Sequence, residues 1–164
     1  MNFSEAWTMA DSDQLTTAMQ DYLEVILQLL REKGAARVRD IADRAGVGAS
    51  AVTNALHSLD ERGMVHYEPY QLVRLTEQGA RVATEIDRRH EALQSFFGDL
   101  LGLDADTADA NACRIEHHID EPVLRRMGCL SEFIRSRDDF DPDRWRSAFE
   151  KFCRRTTRPE QEEV

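Results

Sequence analysis

The apolar residues near the start of the chain recur with the spacing of an amphipathic helix. Leu23, Ile26 and Leu30 fall on one face, and polar or charged residues occupy the other. The run Thr17-Ala-Met-Gln fits a capping box that would begin this helix, and Gly34 supplies the residue that would end it. The pattern therefore predicts a first helix of about four turns.

A second pattern follows between residues 38 and 63. A short amphipathic stretch around Ile41 is followed by a glycine turn at Gly46 and by a second helix from about Ser50 to Arg62. Helix, tight turn and second helix in this order are typical of the helix-turn-helix. Apolar and polar residues then alternate on both sides of Glu68-Pro69-Tyr70, which predicts a β-hairpin, the wing. A three-helix bundle with a hairpin and no role on DNA is the alternative.

The rest of the chain is predicted to be helical, so the fold class is mainly α. The boundaries expected from caps, glycines and Pro142 are Thr76 to about Phe97, Asp104 to about His118, Glu121 to about Arg137, and Asp141 to about Arg155. We expect a flexible acidic lead over 1–16, a winged helix-turn-helix domain over 17–76, a helical domain over 77–156 and a disordered tail over 157–164.

Composition narrows the class of protein. The chain has 164 residues, of which 41% are hydrophobic, and a net charge of −10. Residues 21–76 carry eight acidic and seven basic side chains, so the acidic excess lies mostly outside the helix-turn-helix. We find no membrane-spanning run and no secretion signal, and three cysteines argue for reduced thiols rather than a disulfide framework. The expected location is the cytoplasm.

Candidate metal ligands stand at three places in the chain: Asp21 and Glu24 on the first helix, His90 on the long helix, and Cys113, Glu116 and His117 in the run NACRIEHHI. The first pair is spaced i, i+3 and the last set i, i+3, i+4, so each set shares one helical face. Acidic residues in a first turn and single histidines or cysteines also have ordinary structural explanations. Spacing alone leaves metal binding and a solvated surface equally open.

Candidate DNA contacts lie on the second helix of the helix-turn-helix. Its outward face is predicted to carry Ser50, Ala51, Thr53, Asn54 and His57. An asparagine there can pair with adenine through two hydrogen bonds, whereas the small side chains give weaker contacts. Candidate phosphate contacts are Arg37, Arg39, Arg44, Arg62 and Arg74. Ordinary solvated charge is the alternative for each arginine.

The sequence resembles the diphtheria-toxin-repressor family of metal-dependent transcriptional regulators, including its manganese branch, over roughly residues 17–137. The stretches that carry the resemblance are MQDYLEVI, ARVRDIADRAGVGASAVTNALHSLDERGMVHYEPYQLVRLTEQG, RRHEAL and CRIEHHI. The resemblance implies a homodimer whose residues 77–156 form a helical metal-binding and dimerisation domain, without the SH3-like domain of some members. It assigns the metal ligands to Asp21, Glu24, His90, Cys113, Glu116 and His117.

The ligand residues implied by the resemblance combine features of two branches of the family, which bind different metals. Cys113 stands where the manganese branch has a carboxylate, and Asp21 stands where the iron branch has a methionine. Carboxylates and imidazoles suit Mn²⁺ and Fe²⁺, while a thiolate favours softer metals. We expect Fe²⁺ first and Mn²⁺ close behind, with Zn²⁺, Co²⁺ or Ni²⁺ binding in vitro. Gln94 and Asp109 match the ancillary ligands of the iron branch poorly, so we expect no second complete site.

The function implied is that of a metal-dependent repressor of metal-uptake or homeostasis genes. Fe²⁺ or Mn²⁺ would clamp the first helix to the dimerisation helices, and the homodimer would bind a palindromic operator in double-stranded DNA. A metal-independent or small-molecule-responsive winged-helix regulator is the alternative. We do not expect an enzyme, because the resemblance assigns every ligand position to a protein side chain and leaves no open catalytic position.

Overall fold

A computed structural model describes residues 15–137 and 140–156, which form a mainly α-helical fold with a small antiparallel sheet. The elements in chain order are α1 (Thr17–Lys33), α2 (Val38–Ala45), α3 (Ala49–Glu61), β1 (Val65–His66), β2 (Arg74–Leu75), α4 (Glu77–Ser95), a π-helical turn (Phe96–Leu100), α5 (Ala105–Ile115), α6 (Glu121–Arg135) and α7 (Pro142–Thr156). The chain divides into two compact units, with the boundary between Asp87 and Arg88 inside α4. The predicted fold class is confirmed. The predicted tail and most of the predicted lead lie outside the described residues.

The first helix begins one residue earlier than the capping box suggested. Thr16, in an extended conformation, is the N-cap, and its hydroxyl accepts a hydrogen bond from the Met19 backbone N–H at 3.3 Å. The assignment of the cap to Thr17 is therefore wrong, because Thr17 already has a place in the first turn of α1. Gly34 ends the helix as predicted, with φ 68° and its N–H bonded to the Leu30 carbonyl.

The core of the first unit is built from the inward faces of α1, α2 and α3 together with the hairpin. Its fully buried members include Leu23, Ile26, Leu29, Ile41, Val52, Leu56, Leu59, Val65 and Val73. Gly46 has φ 67° at the turn between α2 and α3, where a left-handed backbone favours glycine. Since α3 buries one face in this core, its opposite face is left for solvent or a partner.

The hairpin is shorter than its alternating sequence suggested. Val65 pairs with Leu75 and His66 with Arg74, and an isolated bridge joins Ala36 to Val73. The two-residue strands are followed closely by α4. Gly79 makes that approach possible, because a Cβ built there would lie 1.8 Å from the Met64 carbonyl oxygen. The wing is thus stabilised by contacts at its base and not by a long ladder of strand hydrogen bonds.

The second unit has a smaller apolar core. Its buried members are Leu93, Phe97, Ala108, Ala112 and Leu124. The long helix was predicted to run to about Phe97; α4 ends at Ser95 and leads into the π-helical turn, which contains Gly98 and is followed by Gly102, with φ 71°. Trp145 of α7 donates its indole N–H to the Leu100 carbonyl at 3.0 Å. No helix among the described residues has the length and apolar character needed to cross a membrane.

Candidate metal centre and DNA-binding surface

Three of the predicted metal ligands converge in the second unit. His90 comes from α4, while Glu116 and His117 follow directly on the last turn of α5. His90 Nδ1 lies 2.8 Å from Glu116 Oε2, and His117 Nε2 lies 3.1 Å from Glu116 Oε1. The Glu116 side chain is fully buried and that of His117 is 2% exposed. The carboxylate therefore has an imidazole at each oxygen in a place shielded from water.

Asp109 joins this cluster although it was not among the six expected ligands. Its Oδ1 lies 3.1 Å from Nε2 of His90, so that both ring nitrogens of His90 face carboxylates. Gln94 donates to the same Asp109 oxygen at 3.0 Å. Asp109 thus orients the His90 ring directly, and Gln94 orients the Asp109 carboxylate. These are the two residues that match the ancillary ligands of the iron branch poorly. Only packing of α4 against α5 brings them together, and sequence spacing carries no sign of it.

The ionisation of Glu116 reflects its two histidine neighbours. Burial alone would raise the pKa of this carboxyl, because charge is poorly solvated inside a protein. The contacts with His117 and His90 outweigh burial and hold the pKa below its ordinary value. Glu116 is therefore an anion at neutral pH and is ready to bind a cation.

Arg89 forms hydrogen bonds with the backbone of the segment that carries Glu116 and His117. Its guanidinium donates to the Glu116 carbonyl at 3.0 Å and to the Ile119 carbonyl at 3.3 Å, and lies 3.3 Å from the Glu121 carboxylate. Its side chain is 6% exposed. A buried arginine that bonds several acceptors fixes the backbone to which they belong. The sequence signal was only the basic pair before His90, which does not reveal that Arg89 points inward.

The donor chemistry of this cluster fits a divalent metal. A carboxylate and two imidazoles are oxygen and nitrogen donors of the kind that Mn²⁺, Fe²⁺ and later transition metals bind. Cys113 lies one turn before Glu116 on α5 and is exposed. His118 is exposed as well, with its ring 6.5 Å from that of His117. The role of Cys113 as a ligand stays a prediction.

The other two predicted ligands belong to the first unit. Asp21 and Glu24 are one turn apart on α1, and Glu24 is 6% exposed. Gln28, a turn further on, donates to Glu24 Oε1 at 3.2 Å. Buried carboxylates are usually paired or hydrogen-bonded, as Glu24 is here. The metal-binding role of Asp21 and Glu24 stays a prediction.

The outward face of α3 is exposed as predicted. Ser50, Ala51, Asn54 and His57 are all exposed, and Thr53 is half-buried. The Thr53 hydroxyl donates to the Ala49 carbonyl of its own helix at 2.9 Å, which leaves it as an acceptor towards a base. The exposed position of these side chains suits contacts with DNA bases. Their role on DNA stays a prediction.

Among the arginines considered for phosphate contacts, Arg39 has its Nε 3.7 Å from the exposed Asp43 carboxylate one turn further on, and Arg44 has a closer partner. Both of its terminal nitrogens pair with the two carboxylate oxygens of Glu32, at 2.8 and 2.5 Å. Arg37, Arg39 and Arg74 are exposed, and they line a groove of about 800 Å³ between α2, α3 and the wing. The edge-to-face contact of His57 with Tyr67, 5.1 Å between ring centroids, joins α3 to the base of the wing.

A helix-turn-helix with a wing, followed by a helical unit that carries a buried carboxylate–histidine cluster, defines a class of metal-responsive DNA-binding regulators. Comparison with known proteins agrees. The sequence profile described as "Iron dependent repressor, N-terminal DNA binding domain" matches residues 14–73. The profile described as "Iron dependent repressor, metal binding and dimerisation domain" matches residues 76–143.

Individual relatives point to the same family. The chain is 36% identical to the transcriptional regulator MntR of Bacillus pumilus over 124 residues, 76% of this chain and 85% of that protein. It is 35% identical to MntR of Bacillus subtilis over 123 residues, 75% of this chain and 86% of that protein. The chain belongs to the iron-dependent-repressor family, which is the family of the diphtheria toxin repressor and MntR.

Solved structures share the fold. A manganese-dependent transcriptional repressor in complex with manganese matches with a TM-score of 0.63 and 31% identity, over 70% of this chain and 53% of that one. IdeR of T. acidophilum matches with a TM-score of 0.62 and 27% identity, again over 70% and 53%. The chain spans about half the length of these solved structures. The protein is thus a metal-dependent transcriptional regulator that binds DNA and dimerises, and the prediction that it is not an enzyme is confirmed by its family.

Proposed function

We propose that the protein represses metal-uptake or homeostasis genes when Fe²⁺ or Mn²⁺ is bound by Asp21, Glu24, His90, Cys113, Glu116 and His117. The observation that carries the proposal is the Glu116 carboxylate, fully buried and held between the imidazoles of His90 and His117. A bound divalent cation would supply the positive charge that such a set of acidic ligands lacks.

The proposed mechanism assigns separate tasks to the two parts of the chain. Residues 17–76 would contact a palindromic operator, and residues 77–156 would hold metal and form the dimer. Ligands on α1 and ligands of the second unit would share one cation, so that the DNA-binding unit of each protomer is fixed in the dimer. In two-fold dimers, half-sites lie about 34–36 Å apart or at multiples of that distance, so small changes in spacing alter affinity. Acting on DNA, the protein would work in the cytoplasm.

Substitution of the buried ligands tests the proposal. We expect Glu116→Gln and His117→Ala to abolish metal-stimulated binding to the promoter next to the protein's own gene, measured by gel shift with Mn²⁺ or with Fe²⁺ under anaerobic conditions. Allosteric couplings of this kind change affinity by roughly 5- to 150-fold. The matched control is His118→Ala, since His118 is the exposed neighbour of His117.

Two results would contradict the proposal. One is unchanged metal dependence in both ligand variants. The other is tight operator binding by the wild-type protein in excess chelator, which would instead favour a metal-independent or small-molecule-responsive regulator.

The choice between metals depends on Cys113. The relatives above include proteins named MntR and a manganese-dependent repressor, and the profile names iron, so the comparisons favour both metals. We expect Cys113→Glu to strengthen the DNA response to Mn²⁺ relative to Zn²⁺, because it replaces a soft donor with a hard one. Cys129→Ser, at another exposed thiol, is the control. An unchanged Mn²⁺-to-Zn²⁺ ratio in Cys113→Glu would remove Cys113 from the ligand set.

A further inference from the structure

The tip of the wing holds its backbone in a conformation that its residue disfavours. Tyr70 has φ 68°, and among the described residues it is the only one with positive φ that is not glycine. A bulky residue in the left-handed region is an outlier, because its Cβ crowds the backbone carbonyls. Such conformations persist where the surroundings enforce them, and they concentrate at functional sites.

Local sequence explains how the turn forms but not why it contains tyrosine. The Gln71 N–H bonds back to the Glu68 carbonyl at 3.1 Å, which makes a four-residue turn with Pro69 and Tyr70 at its centre. Proline at the second position followed by positive φ at the third is the pattern of a type II turn. That third position is normally glycine or asparagine. Glycine at 70 would give the same turn without strain.

The Tyr70 side chain makes no hydrogen bond that would stabilise the described fold. It is fully exposed, and its hydroxyl has no hydrogen-bond partner among the described residues. Tyr67, in the same loop, behaves differently: it is half-buried and packs on His57. A strained, fully exposed aromatic residue without an internal hydrogen bond points to a partner outside the chain.

The surroundings of Tyr70 identify the chemistry of that partner. Tyr70 lines the same groove as Arg37, Arg39 and Arg74, all of which are exposed. The acidic neighbour Glu68 is engaged by the side-chain amide of Gln71. A row of guanidinium groups beside a phenol hydroxyl suits the phosphates of the DNA backbone, which accept hydrogen bonds from both.

We propose that Tyr70 is a DNA-backbone contact at the tip of the wing, and that its hydroxyl donates a hydrogen bond to a phosphate oxygen of the bound duplex. The inference rests on DNA binding by the first unit. A phosphate contact carries no direct sequence information, so Tyr70 contributes affinity and register to operator and non-specific DNA alike. It complements the outward face of α3, which has no arginine or lysine among Ser50, Ala51, Thr53, Asn54 and His57.

The test uses the full-length protein with saturating Mn²⁺, and measures binding by fluorescence anisotropy to the duplex of its own promoter and to a scrambled duplex. We expect Tyr70→Gly and Tyr70→Phe to bind both duplexes about tenfold more weakly, the size of a lost hydrogen bond to a charged group. The thermal midpoint of Tyr70→Gly should equal or exceed that of the wild type, because strain is relieved. Leu72→Ala, an exposed residue in the same loop, should bind like the wild type.

Three results would overturn the inference. Wild-type affinity in Tyr70→Gly would show that the side chain does not contact DNA. Wild-type affinity in Tyr70→Phe alone would show that the hydroxyl is not the contact. Loss of affinity accompanied by a lower thermal midpoint in Tyr70→Gly would show that Tyr70 acts by stabilising the wing. If the wild-type protein itself does not bind the promoter duplex, the proposed function fails together with this inference, whereas the first three results leave that function intact.

Discussion

At the scale of single residues, the candidate metal-binding cluster around Glu116 is held together by contacts between its own side chains. Glu116 has an imidazole at each oxygen, and His90 has a carboxylate at each ring nitrogen. A histidine that binds metal through one nitrogen is usually oriented by a hydrogen bond at the other. The arrangement thus contains the second contact that a metal-binding His90 would need.

The buried guanidinium of Arg89 leads to a prediction about metal affinity. Arg89→Met removes the donors to the Glu116 and Ile119 carbonyls, so the turn that carries Glu116 and His117 should loosen. Loss of such outer contacts typically weakens metal binding about 10- to 100-fold. Titration of Mn²⁺ against a fluorescent chelator measures the affinity, and circular dichroism shows whether the helices remain.

Arg88 provides the matched control for this prediction. It also reaches Glu121, at 3.5 Å, but is about two-fifths exposed. Arg88→Met should therefore leave Mn²⁺ affinity nearly unchanged. We expect Arg89→Lys to restore only part of the affinity, because an ammonium group lacks the planar fork that reaches several acceptors at once. Equal effects of the substitutions at 88 and 89 would show that the charge, and not the hydrogen bonding of Arg89, matters.

At the scale of elements, the helix ends show how far sequence reasoning reaches. Gly34 and Gly46 were correctly predicted as ends, because a left-handed backbone leaves a glycine signature. The predicted start of α1 was wrong by one residue, because Thr16 and Thr17 can both act as an N-cap. The π-helical turn at Phe96–Leu100 was missed, since one wider turn leaves no periodic signal and Gly98 resembles an ordinary stop.

The start of α5 supports a prediction about stability and pH. Asp104 is its N-cap and accepts hydrogen bonds from the Thr107 backbone N–H at 2.9 Å and from the Thr107 hydroxyl at 2.7 Å. These bonds lower the pKa of Asp104, the backbone bond most. Since the folded pKa lies below the unfolded one, the stabilisation is present above the unfolded pKa and is lost as pH falls through the folded pKa.

Asp104→Ala should therefore lower the thermal midpoint at neutral pH by several degrees, and the difference from the wild type should shrink below about pH 4. Circular dichroism melts of the metal-free protein at several pH values measure it. Asp104→Asn keeps a capping oxygen without a charge, so its melting should be closer to the wild type and less dependent on pH. A difference between Asp104→Ala and the wild type that persists undiminished in acid would show that the ionised carboxylate is not the source.

At the scale of the whole molecule, the site could be predicted only in part. Spacing alone placed Glu116 and His117 together, because both lie within one turn of chain. Only the family resemblance joined His90 to that pair. Neither spacing nor resemblance indicated the contacts that Asp109 and Arg89 make, because tertiary packing of the helices creates them. The metal preference follows the same rule. Residue types indicate how soft the donors are, but packing determines which of them bind the metal, and the Cys113→Glu experiment tests this.

The net charge of −10 also belongs to this scale. A strongly acidic protein is repelled by DNA at long range, so productive contact depends on local charge and on presenting two DNA-binding units at once. Arg37, Arg39 and Arg74 supply the local charge beside the wing. Dimerisation supplies the second DNA-binding unit, so we expect operator binding to require an intact dimer.

The exposed apolar side chains of α6 mark the surface on which we expect the second copy to pack. Leu124 of this helix is 2% exposed, whereas Val123, Leu130 and Phe133 are 49%, 48% and 63% exposed and share one side through i, i+7 and i+10 spacing. They fall within the region that matches the dimerisation domain, residues 76–143. Large apolar side chains grouped on one face of a helix are typical of protein interfaces.

Phe133→Glu should therefore shift the protein from dimer to monomer in sedimentation velocity runs at micromolar concentration, because the dimer would have to bury an unpaired carboxylate. Mn²⁺ should still bind to the monomer, since Phe133 is not among the ligands, but operator affinity should fall by at least about tenfold as the second DNA-binding unit is lost. The control is Phe152→Glu, at an exposed phenylalanine of α7 outside the matched region. If Phe152→Glu is monomeric and Phe133→Glu is dimeric, the interface lies on α7 and not on α6. If both variants remain dimeric, it lies on neither helix.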